Sequence, residues 1–114
     1  MWEDRRCHRS EVLSEALARL LDACRARAGL EALVLADDSG LLVSAAAPPG
    51  VDADYIAALL PMRGPPEPKM AGLRQVRFDL DGFAMYLGGI GEMTASWARE
   101  MMNALRGTQR ILSR

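Results

Sequence analysis

The sequence has very little material for metal binding or nucleophilic catalysis. It contains one histidine, His8, and two cysteines, Cys7 and Cys24. A structural zinc site wants four ligands, usually in paired CxxC or HxxxH spacing, and these three residues cannot supply it. Cys7 and His8 are adjacent, so on a helix their side chains diverge and make no nucleophile-base pair. Two irregularly spaced cysteines argue for a reducing compartment rather than a disulfide framework. Net charge is also lacking: 14 basic residues stand against 15 acidic ones, and only Lys69 is lysine. Without a basic excess, nucleic acid is not an expected partner. No apolar run approaches the ~20 residues needed to insert across a membrane. Met1 to Arg6 lack the apolar core of a secretion signal, which leaves a cytoplasmic chain as the expectation.

Several short motifs have bland explanations. Gly88-Gly89-Ile90-Gly91 is followed by Glu92 rather than by Gly-Lys-Ser/Thr, so it is read as close packing of a strand end, not as a phosphate loop. Asp37-Asp38 and Asp52/Asp54 fit turn formation and helix capping, and calcium would need a longer alternating acidic loop. Met62, Met70, Met85, Met93, Met101 and Met102 could make an adaptable binding surface, but several of them fall at expected core positions. No catalytic residue, metal site or cofactor is expected, and the chain is read as a non-enzyme.

What the sequence does have is patterned apolar residues, 50% of the chain, enough for a single domain with a sizeable core. Leu30 to Ala46 reads as two short apolar strands joined by an acidic turn, Asp38-Ser39-Gly40. That register sets Asp37 opposite Leu41 and Leu35 opposite Val43. One face then carries Leu33, Leu35, Leu41 and Val43, the other Val34, Ala36, Leu42 and Ser44. Both faces need cover. Ahead of this hairpin, Leu13, Leu17, Leu20, Leu21 and Cys24 predict an amphipathic helix from an N-cap at Ser10 to about Arg27, stopped by Gly29. Residues 1–9 form an N-terminal extension and 10–114 a single domain.

After the Ala47-Pro48-Pro49-Gly50 loop, Asp52 is a predicted cap for a short helix with Val51 stapled onto Ile56. Its residues are apolar on more than one face, so it is expected to be deeply buried or to pack against a neighbour. The proline-rich run Arg63 to Lys69 is a connector. Asp81-Gly82 is the strongest turn signal in the chain, a two-residue type I′ hairpin. It pairs Leu80 with Phe83, Phe78 with Met85 and Val76 with Leu87 on one apolar face. Arg77 lies opposite Tyr86 on the other. A last helix, about Glu92 to Leu112, aligns Trp97, Met101, Ala104, Leu105, Thr108 and Leu112. Gly107 is expected to kink or end it.

The order helix, hairpin, helix, hairpin, helix resembles the roadblock (dynein light chain, MglB-type) domain family. The likeness lies in the "apolar strand, Asp, x, x-Gly, apolar strand" pattern of Leu30 to Val43. The Asp-led, Ala- and Leu-rich segment Asp52 to Leu60 and the Leu80-Asp81-Gly82-Phe83 turn add to it. The resemblance covers about Ser10 to Leu112. It implies an α/β (α+β) sandwich, an antiparallel sheet of four or five strands with helices on both faces, the fifth strand missing, very short or replaced here. It also implies a homodimer joined through sheet edges and middle helices, acting as a regulator or scaffold for a Ras-like small GTPase. The interface residues expected are Ala53, Ile56, Ala57, Leu59 and Leu60 on the middle helix and Val76 to Phe78 near a pairing edge. Arg63, Arg77 and Tyr86 are expected partner contacts. The alternative is a small-ligand sensory module of profilin, GAF or PAS-like type, which would need a pocket with converging polar groups.

Overall fold

Seven elements follow one another: α1 (Trp2–Ala28), β1 (Ala32–Asp37), β2 (Leu42–Ala46), α2 (Ala53–Leu59), β3 (Leu73–Leu80), β4 (Phe83–Ile90) and α3 (Trp97–Leu112). The computed structural model describes residues 2–62, 72–92 and 94–113, with side chains from Val12 onward. The strands form one antiparallel sheet in the order β2-β1-β4-β3. α1 and α3 lie on one face over Leu33, Leu35 and Leu87. α2 lies on the other over Val34 and Ala36. Central β1 is therefore apolar in consecutive positions, because both its faces are covered. Among the described residues there are four strands, and none lies between β4 and α3.

The second hairpin has the register its turn dictates, Leu80 with Phe83 through Leu73 with Ile90. Asp81 and Gly82 have φ of 51° and 87°, as a type I′ turn requires. The first hairpin closes as its acidic turn suggests. The Asp37 carboxylate accepts hydrogen bonds from the Ser39 and Leu41 amides at 2.9 and 3.0 Å. Beyond Ala36, paired with Leu42, the register departs from expectation. Leu35 lies opposite Ser44 instead of Val43, because β2 carries an extra residue there. This β-bulge turns Ala45 toward α2 and lets Val43 stay against the α1/α3 core. Ser44, expected on the α2 face, shares Leu35's side instead. Leu41 and Phe83, expected in that core, are 65% and 66% exposed. Each sits at the turn end of its hairpin, beyond the packed part of the sheet.

α1 runs unbroken through Ser10, so Ser10 is not its cap. At the other end Leu30 and Gly29 donate back to the Arg25 and Ala26 carbonyls, a Schellman closure. The segment before α3 satisfies two more α1 carbonyls: Thr94 Oγ1 donates to Ala28 and Ser96 Oγ to Arg27. α1 and α3 run antiparallel, Arg27 beside Glu100 and Leu20 beside Gly107. Gly107 does not end α3, which runs on as helix to Leu112. A Cβ there would lie 2.6 Å from Leu20 Cδ2, so the missing side chain is what allows the two helices to approach. The connector from Arg63 to Lys69 lies outside the described residues.

Glu100 is 4% exposed, and its carboxylate accepts from Arg27 Nε at 2.9 Å and Asn103 Nδ2 at 3.2 Å. These bonds, Arg27's first, hold its carboxyl below the ordinary glutamate range. A depressed folded-state pKa contributes stability above the unfolded-state value, and that stability is lost as pH falls through the folded one. Thermal unfolding followed by circular dichroism should therefore drop on acidification more steeply in the wild type than in Glu100→Gln. Equal slopes would mean that the pair does not couple α1 to α3.

Candidate functional site

The α2 side of the sheet is where cover runs short. α2 starts cleanly: the Asp52 carboxylate accepts from the Tyr55 amide at 3.1 Å, and Val51 packs into the small core beneath the helix. Asp52→Ala should cost about 1 kcal/mol, while Asp52→Asn, an equally good cap, should cost little. Urea unfolding of both variants would check this.

Seven residues make only two turns, and α2 rests mainly on β1 and β2, with Leu60 at its end reaching over Gly88 of β4. Toward the β3–β4 turn, the same face of those two strands has no helix over it among the described residues. It presents exposed Gln75 and Arg77 with half-buried Ala84 and Tyr86, an open shelf beside α2. Arg77 and Tyr86 are Cα partners there, and Arg77 reaches Asp79 at 3.7 Å. Both of these side chains are well exposed, so this pair contributes little stability.

The residues expected at an interface divide. Ile56, Ala57 and Leu60 are fully buried against the chain's own sheet, and Ala53 packs beside them. Leu59 is half-buried. With Ala58, Asp54 and Met62, which is 63% exposed, it forms the outward side of the helix. Val76 and Phe78 point into the α1/α3 core, on the opposite side of the sheet from Arg77 and Tyr86. Arg63 lies outside the described residues. Sequence reading missed Ala58, Met62 and Gln75. Helical spacing sets the first two away from Ile56 and Leu60 without saying which side faces inward, and strand alternation from Arg77 could have found the third.

β3 is an edge strand of eight regular residues. In a two-residue hairpin the pair flanking the turn exchanges both its bonds, here Leu80 and Phe83. The β3 groups left pointing outward are therefore those of Leu73, Gln75, Arg77 and Asp79.

This arrangement of one sheet, two helices behind and one short helix in front has a counterpart among solved structures. Myxococcus xanthus MglB superposes with a TM-score of 0.62 over 87% of this chain and 89% of that one, at 15% sequence identity. The chain has the roadblock fold. No protein-family model matches the sequence, and a search of curated proteins returns no match either. At that identity the likeness extends to the architecture, and the roadblock fold by itself assigns no chemistry.

Groups able to hold a metal are absent among the described residues. Cys24 is buried in the core. Its thiol is pushed up mainly by burial, which Arg27 partly opposes. Cys7 is 17 positions earlier on the same helix, roughly 25 Å away by helical rise. No helix among the described residues is long and apolar enough to cross a membrane.

Proposed function

We propose that this protein is a non-enzymatic homodimeric regulator or scaffold for a Ras-like small GTPase, working in the cytoplasm. The observation that carries the reading is the shelf beside α2, which no described residue covers, bordered by the regular edge of β3, on a fold shared with MglB. Pairing of β3 with a second copy would extend the sheet. It would also bring the outward side of α2, with Ala58, Leu59 and Met62, toward the partner's shelf at Gln75, Arg77 and Tyr86. A sheet edge of eight residues and a single-charge helix suit such self-association. In the roadblock resemblance the GTPase supplies its own catalytic groups, and the dimer acts by positioning them.

Light scattering after gel filtration tests the first half. The wild type should elute as a dimer, and Arg77→Pro should elute as a folded monomer. The substitution removes an outward N–H while leaving the β3–β4 ladder intact. A wild-type monomer at high micromolar concentration would sink the dimer. Pull-down from the protein's own cell extract, with and without a non-hydrolysable GTP analogue, tests the second half. Failure to retain any GTPase in either state would leave a scaffold and remove the regulator.

A further inference from the structure

At the end of the sheet away from the two turns, on the α2 side, there is an open hollow of about 460 Å³. This is within the size range of ligand sites. Three separate segments build it: the start of β1, the end of β4, and the loop leading into α2. Ile56, Val51 and Ile90 give it an apolar lining, and Tyr55 adds an aromatic wall. Glu31 and Asp52, both exposed, stand among these residues. The Glu31 amide donates to the Ile90 carbonyl at 2.8 Å, which fixes that residue's backbone at the junction of β1 and β4. Among the described residues no basic side chain lines the hollow, and neither carboxylate forms an ion pair.

We propose that this hollow receives an arginine side chain carried on a segment of a protein partner. A wholly apolar ligand would strip water from two carboxylates and give nothing back. A bare metal ion would find two carboxylates and an apolar lining, too few oxygen ligands for calcium. An arginine satisfies both halves of the site. Its methylene stem covers half-buried Val51 and Ile90. Its planar guanidinium donates in fork geometry to carboxylates, which a lysine ammonium does less well. A carboxylate has about four acceptor positions, and capping α2 takes one at Asp52. The assignment is independent of whether the partner is a GTPase.

The probe is the blocked tripeptide acetyl-Gly-Arg-Gly-amide, titrated into the whole protein and followed by amide proton-nitrogen correlation spectra. It should shift the Glu31, Val51, Tyr55 and Ile90 amides saturably, and the matching Gly-Glu-Gly peptide should not. The double variant Glu31→Gln/Asp52→Asn removes both charges and keeps an N-cap of equal quality. It should unfold at the same temperature as the wild type and bind the arginine peptide about tenfold more weakly or worse. Three results would overturn the proposal: no saturable shift at these amides, equal binding of the glutamate peptide, or undiminished binding by the folded double variant. Glu31→Gln alone, which does not touch the cap, serves if the double variant proves unstable.

Discussion

Leu35→Ala should lower the free energy of unfolding by about 2–5 kcal/mol, while Leu41→Ala should change it by less than about 0.5 kcal/mol. The two leucines look equivalent in a pleated reading of the hairpin, and the structure separates them. Leu35 is fully buried at the centre of β1, with Leu87 on one flanking strand and Ser44 on the other. Truncating it leaves a void that the surrounding sheet and helices cannot collapse around, so the cavity adds to the lost transfer energy. A domain of this size has about 5–15 kcal/mol of total stability, so the loss is a large fraction of the whole. Leu41 is 65% exposed and gives up almost no contact. Urea titrations should show a lowered midpoint with unchanged slope for Leu35→Ala alone. Equal effects at the two positions would contradict the placement of Leu41 outside the core.

Gly40→Ala should cost clearly more than Gly82→Ala, by about 1–3 kcal/mol. Both glycines adopt left-handed backbone conformations, with φ of 81° and 87°, and any Cβ there carries about 1–2 kcal/mol of strain. The difference is what lies in front of them. Nothing comes within 4 Å of a Cβ on Gly82, whereas one on Gly40 would meet the Ala58 Cα at 3.2 Å and its carbonyl oxygen at 3.4 Å. These are backbone atoms of α2, which cannot swing aside like a side chain. The helix would have to give by a few tenths of an ångström, straining the packing of its Ile56 and Ala57 and of Leu60 against the sheet. Subtracting one thermal shift from the other isolates that contact from the common conformational penalty.

How much of this could be read in the chain depended on the distance over which each feature is decided. Asp81-Gly82 dictates the register of sixteen flanking positions because a two-residue turn leaves the strands no freedom. The amphipathic stripes of α1 and α3, the Asp52 cap and the two-sided cover of β1 are likewise local patterns. The β2 bulge was not legible, since it answers to packing of Val43 and Ala45 on opposite faces. Burial of Glu100 was hidden because its partner, Arg27, lies 73 residues away. In α2 the apolar residues could be counted but not divided. Only the sheet's position shows that Ile56, Ala57 and Leu60 face inward and that Ala58, Leu59 and Met62 do not. The hollow between β1, β4 and α2 was out of reach for the same reason, as Glu31, Asp52 and Ile90 come from three segments.

The bulge in β2 also bears on how many copies can join. An antiparallel sheet with two straight edges is a polymerisable monomer: each addition exposes a new end, and growth never terminates. Here one rim is long and regular while the other is five residues, interrupted by an extra residue. Irregularity of that kind blunts strand addition. A protomer with one usable rim reaches its stoichiometric limit when that rim meets its twin, which closes the assembly at two. Should β3 pair with a second copy, the extra residue in β2 would help end the assembly there rather than let it run on as a fibre.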